Sequence, residues 1–178
     1  QILAVEIQER LADMAERSIE LNDLTQQMQV IQDDLKNLGR YITGSKVDMI
    51  LCNPPYFKVD KKSNLNESQH YLLARHEIST NLEEICKIAQ RVLKSNGRLA
   101  MVHRPERFLD ILDTMQAHNL APKRIQFVYP KLGKEANMLL IEAIKDGSRD
   151  GLKILPPLFI HNQDGSYTPE IHEIYYGK

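Results

Sequence analysis

Val47-Asp48-Met49-Ile50-Leu51-Cys52 runs directly into Asn53-Pro54-Pro55-Tyr56. The apolar run has the length of a buried strand. Neither proline has a backbone N–H to give to a ladder, so the strand must stop there. Asn53 is thereby held just past the carboxyl end of a strand expected at the centre of a sheet. Open α/β sheets receive their ligands at that place.

The flanking segments fill out such a sheet. Residues 2–7 read as a buried strand with an acidic residue, Glu6, near its end. Leu11, Met14, Ala15 and Ser18 share one helical face, which predicts an amphipathic helix over residues 8–22. Residues 28–34 read as a second strand that closes on two carboxylates, after which the chain turns through Gly39 and Gly44. Residues 57–79 show no period and are rich in Lys, Asn, Ser and His; long loops of this kind are often functional. Thr80 and Glu83 have capping-box spacing, and Leu82, Ile85, Cys86, Ala89, Val92 and Leu93 form one face of the helix they open. Asn96-Gly97 ends it, and residues 98–103 make the next strand.

Pro105 suits a first helical position, with Phe108, Ile111, Leu112 and Met115 as the buried stripe. Residues 125–129 and 138–144 are two further strands with no helix between them, hence antiparallel. The tail reads as a hairpin-like extension: residues 152–160, a turn at Asn162-Gln163-Asp164-Gly165, then residues 167–176. Tyr175-Tyr176 read as packing that tail on the body, with base stacking as the alternative. His103 reads as a pocket wall or core residue.

Strand and helix alternate and the series ends in an antiparallel pair, which predicts a doubly wound α/β sheet. A chain of 178 residues, 42% of them hydrophobic, can bury one real core. The expected division is a main domain over residues 1–148 and a C-terminal extension, 149–178, packed on it. A formal charge of −1 excludes a global basic field, so any nucleic-acid surface must be local. No apolar run approaches the ~20 residues of a membrane span, and no membrane partner is expected. Cys52 and Cys86 lie in apolar runs and read as reduced core residues of a cytoplasmic protein. The histidines are not at ligand spacing, and no metal is expected.

Three stretches in order, Val5-Glu6-Ile7-Gln8-Glu9-Arg10, Asp34-Leu35 and Cys52-Asn53-Pro54-Pro55-Tyr56-Phe57, resemble the bacterial adenine-N6 methyltransferases that act on the anticodon loop of valine tRNA. Ala74-Arg75-His76-Glu77 and Pro130-Lys131-Leu132-Gly133-Lys134-Glu135-Ala136-Asn137 are similar to the same family. The resemblance covers nearly the whole chain. It implies a Rossmann-like class I methyltransferase sheet, mostly parallel, and S-adenosyl-L-methionine as cofactor. Glu6 then takes the position that binds the cofactor ribose, and Asp34 the one that accepts from its adenine amine. Taken alone, either carboxylate reads equally well as a solvated strand end or a helix cap.

Asn53, Pro54 and Tyr56 match the catalytic motif, with Asn53 also beside the cofactor. Pro55, Phe57, Lys58, Lys61, Lys62, Arg75, Lys131 and Lys134 are the candidates for contact with tRNA. The motif is shared with glutamine-N5 methyltransferases of proteins, with DNA adenine methyltransferases and with some rRNA enzymes. The alternatives are therefore glutamine-N5 methylation of a protein, or a non-catalytic RNA-binding relic. The family's glycine-rich cofactor loop belongs after a strand preceding Ile2. The expectation is that the sheet here lacks its first strand, that the natural protein is longer by about 60 residues, and that these residues alone are inactive.

Overall fold

Strands form where the apolar runs predict them, but among the described residues they assemble into two sheets rather than one. The computed structural model describes residues 1–42, 47–54 and 82–177. It divides into two units, Gln1–Lys46 and Val47–Lys178.

In the first unit, β1 (Ile2–Glu6) lies parallel to β2 (Met28–Gln32), with Glu6 opposite Gln32. Helix α1 (Glu9–Leu21) joins them. Its buried residues are Ala12 and Ile19, which meet Val30 with Ala4 and Ala15 packed alongside. The expected face is thus corrected: Leu11 and Met14 are 41% and 47% exposed, and Ser18 is exposed as well. The alanines let the helix backbone approach the small sheet closely, and the longer side chains fall off its flank. β2 also ends sooner than expected, at Gln32, and a 3-10 helix over Leu35–Arg40 follows, with Asp34 as its cap.

The second unit begins with β3 (Val47–Cys52). After it come α2 (Leu82–Val92), β4 (Leu93–His103), a 3-10 turn at Pro105–Arg107 and α3 (Phe108–Ala117). β5 (Leu120–Lys131), β6 (Met138–Lys145), β7 (Lys153–Ile154), β8 (Leu158–His161) and α4 (Pro169–Tyr176) complete it. The sheet order is β3-β4-β6-β5-β7, with β8 also on β5. β3 and β4 are parallel, β6 is antiparallel to both β4 and β5 as expected, and β7 and β8 run parallel to β5.

Alternation buries Leu99, Met101 and His103 of β4 beside Ala143, Ile141 and Leu139 of β6. The predicted helical faces cover the core: Ile85, Cys86, Ala89 and Val92 on α2, Ile111 and Met115 on α3. α2 packs on β4 and α3 on β5. Thr80, the expected partner in the capping box, lies outside the described residues. Between α2 and the paired part of β4, Asn96 takes φ +63°. A Cβ on the next residue, Gly97, would stand 2.8 Å from the Lys94 carbonyl oxygen, so only glycine fits that turn.

Two expectations fail in this unit. β3 is not a buried strand, since Asp48, Met49 and Leu51 are exposed. Among the described residues it pairs only with β4 and is therefore an edge. Among the described residues β1 pairs only with β2 and likewise has one unpaired edge. The tail is not a hairpin either. Thr168 Oγ1 accepts from the Ile171 N–H and Pro169 opens the helix α4. Only the His161–Tyr167 bridge keeps a hairpin's antiparallel pairing. Ile171 anchors α4 against Val128 and Leu158, whereas Tyr175 and Tyr176 remain 64% and 67% exposed and do not pack on the body.

Candidate active site

Parallel pairing puts the carboxyl ends of β1 and β2 side by side. The Asp33 N–H donates to the Glu6 carbonyl at 3.1 Å, carrying the ladder one step beyond the strands. Glu6 Oε1 accepts from the Gln8 N–H at 2.9 Å, and Asp34 Oδ1 accepts from the Lys36 N–H at 2.9 Å. Both carboxylates therefore do cap backbone. A carboxylate accepts through two oxygens, so capping leaves acceptor capacity at each.

Asp33 holds the loop between them. Its Oδ1 accepts from the Asp34 N–H (2.6 Å) and Asn37 Nδ2 (2.8 Å), and its Oδ2 from the Tyr41 hydroxyl (2.6 Å). The Tyr41 bond, then that of Asn37, holds the Asp33 carboxyl below the usual range. Sequence reasoning missed this residue's part, because nothing in Asp33-Asp34 says which carboxylate faces inward to the loop.

In the second unit Asn53 is exposed and Pro54 is buried. The proline is anchored and the amide is presented. A cavity of about 510 Å³ runs along the sheet face from Leu155 and Leu140 past Val102 and Ala100 to Asn53. Glu142 lines it and pairs with Arg98 at 3.3 Å. β3 and β4 are parallel and β6 reverses β4, so the loop from β5 to β6 lies at the same end of the sheet as Asn53. Lys131 ends β5 at the mouth of that loop, and the loop carries the exposed Lys134. Arg104, not anticipated, joins it by donating from Nη1 to the Asn137 carbonyl at 3.2 Å; its one signal was a basic residue directly after a strand. Pro55, Tyr56, Phe57, Lys58, Lys61, Lys62 and Arg75 lie outside the described residues.

No protein-family model matches the chain. It is 26% identical over 173 residues to the tRNA1(Val) (adenine(37)-N6)-methyltransferase of Porphyromonas gingivalis, covering 96% of this chain and 67% of that protein. The protein of the same name from Bacteroides fragilis is 26% identical over 176 residues, covering 98% and 73%. A crystal structure described as a predicted O-methyltransferase from Agrobacterium tumefaciens superposes with a TM-score of 0.74 at 22% identity, over 98% of this chain and 76% of that one. The fold of this chain is that of the Rossmann-like methyltransferases.

S-adenosylmethionine is the cofactor of such methyltransferases, and the residues at the ends of β1 and β2 fit its nucleoside half. A ribose diol and an adenine amine are donors, and Glu6 and Asp34 are acceptors. Neither thiol of the chain is ready to act as a nucleophile. Burial pushes the Cys52 thiol up to about 11 and that of Cys86 up to about 12. Among the described residues no cluster of His, Cys, Asp and Glu is suited to a metal ion.

His103, at the end of β4, is 4% exposed, and its Nδ1 accepts from the Arg104 N–H at 2.8 Å. It is a core residue. Burial, and then the charge of Arg107, pushes its imidazole below the ordinary 6.5. Between that lowered value and 6.5 the unfolded chain binds a proton that the folded chain does not. Stability is therefore complete above 6.5 and falls as pH drops through it, until pH passes below the folded value. The melting temperature should decline as pH falls through 6.5, and His103→Gln should flatten that decline. An unchanged slope in the variant would remove His103 as its cause.

Proposed function

We propose that the methyltransferase moves a methyl group from S-adenosyl-L-methionine to N6 of an adenine in the anticodon loop of tRNA. The observation that carries this reading is the exposed Asn53 on its buried Pro54, at the carboxyl end of β3. The names of the sequence relatives favour adenine and tRNA over other planar amines. The setting is then the cytoplasm, and among the described residues no helix is long and apolar enough to cross a membrane.

The exocyclic amine of adenine is a weak nucleophile because its lone pair is delocalised into the ring. Asn53 Oδ1 and the Pro54 carbonyl accept its two hydrogens, which draws the lone pair out of conjugation and localises it on nitrogen. They also stabilise the positive charge that grows on nitrogen. The surplus proton of the methylated amine passes to water. The cofactor, when bound, supplies a methyl group on an electrophilic sulfonium. Glu6 and Asp34 hold its ribose and adenine, and Tyr56 stacks on the extruded base.

The test is methyl transfer by the full-length protein to a valine tRNA transcript, followed by nucleoside mass spectrometry. N6-methyladenosine supports the reading. Label appearing only on a protein glutamine, or nowhere, ends it. Lys131 and Lys134 meet phosphates in this reading, so tRNA affinity should fall steeply with salt. Lys134→Ala should reduce the log–log slope by about 1, and an unchanged slope would take Lys134 out of the interface.

A further inference from the structure

The aromatic residues of the tail form a continuous file that the reaction above does not use. His161 stacks on Tyr167 with centroids 5.2 Å apart and planes inclined by 20°. Tyr167 meets Tyr175 at 5.6 Å, Tyr175 meets Tyr176 at 6.2 Å, and Tyr176 meets His172 at 4.8 Å. Such rings ordinarily hide. Here Tyr167, Tyr175 and Tyr176 are 43%, 64% and 67% exposed, and Ile171 alone anchors the helix beneath them. An open recess of about 480 Å³ is lined by Asn162, Tyr167, Pro169, His172, Glu173 and Gly177.

The file is fixed to the end of the sheet where Asn53 lies. β8 runs parallel to β5 and brings His161 opposite Lys131. His161 Nδ1 lies 3.3 Å from the Pro130 carbonyl, and Gln163 Nε2 donates to the Leu132 carbonyl at 3.2 Å. From β3 through β4, β6 and β5 to β8 is four strand spacings, about 19 Å. Arg104 and Lys131, which follow or end the strands between, and Lys134 in the adjoining loop put positive charge along that path. On α4 itself the charges are acidic, Glu170 and Glu173. A phosphate would be repelled there, whereas the face of a base would not.

We propose that this file stacks an unpaired nucleobase of the RNA substrate, a second point of grip about 19 Å from the base that Asn53 engages. This rests on the tRNA reading above. Stacking on aromatic rings is indifferent to salt and to base identity, unlike contact with phosphates. The file therefore adds affinity without adding salt dependence.

The experiment measures binding of the valine tRNA transcript at several salt concentrations, with the oligomeric state of the protein followed by light scattering. Tyr175→Ala with Tyr176→Ala should weaken binding about tenfold or more and leave the log–log salt slope unchanged. Tyr175→Phe with Tyr176→Phe, which keeps the ring faces, should bind like the parent. Equal affinity of the Ala variant and the parent overturns the proposal, as does a dimer lost in the Ala variant without change in RNA affinity. Equal loss in the Phe variant also overturns it, because the hydroxyls and not the faces would then matter. If the parent binds tRNA but makes no N6-methyladenosine, the methylation reading fails while the stacking result still stands.

Discussion

Asn53→Ala should lower the rate of methyl transfer to tRNA by about a hundred- to a thousandfold, the usual cost of deleting one preorganised partner of developing charge. The amine would keep the backbone carbonyl of Pro54 but lose the acceptor that fixes its rotation. Because Asn53 is exposed and its anchor is the buried Pro54, the melting temperature should hardly move. Cofactor affinity should be largely retained. The decisive comparison is single-turnover methylation by variant and parent, with cofactor binding followed by calorimetry. A variant that keeps the parental rate would show that the amide does not hold the amine.

Glu6→Ala should act on the other quantity, weakening cofactor binding about a hundredfold. A carboxylate that accepts from the ribose diol makes one or two charged hydrogen bonds, each contributing about 1.5–3 kcal/mol. The variant also loses the acceptor for the Gln8 N–H at the start of α1, at a cost of about 1 kcal/mol in stability. Glu6→Gln separates the two effects. Its amide oxygen can still accept from Gln8, but it brings no charge to the ribose. The expected order of affinity is therefore parent, then Gln, then Ala, with a clear loss of stability only for Ala. If Glu6→Ala binds the cofactor like the parent, Glu6 is a helix cap and nothing more.

What the sequence made legible follows from how local each signal is. The prolines and the apolar run before them put Asn53 at the carboxyl end of a strand, as β3 has it, because a proline's missing donor acts on its own strand; that the strand is an edge was not legible. The helical faces of α2 and α3 were equally plain, for a stripe such as Ile85, Cys86, Ala89 and Val92 can be buried in only one way. The face of α1 was misjudged because Leu11 and Met14 are the more hydrophobic choice, while close packing on a two-stranded sheet selects Ala12 and Ala15. The tail was misread as a hairpin because its turn at Asn162 to Gly165 is real, yet the Thr168-Pro169 cap after it carried more weight. The pairing of β7 and β8 along β5, and the reach of Arg104 to the Asn137 carbonyl, depend on tertiary neighbours that no local pattern announces.

β3 leads directly to Asn53, yet among the described residues one side of it offers unanswered peptide groups flanked by Leu51, 76% exposed. Edges of that kind recruit extended segments, and charged side chains are the common deterrent. Asp48 supplies one, held at 2.7 Å by Lys94 near the start of the strand. Any polypeptide that lengthens the sheet along this border would stiffen the perch of Asn53. The position of Asn53 is thereby tied to whatever company β3 keeps.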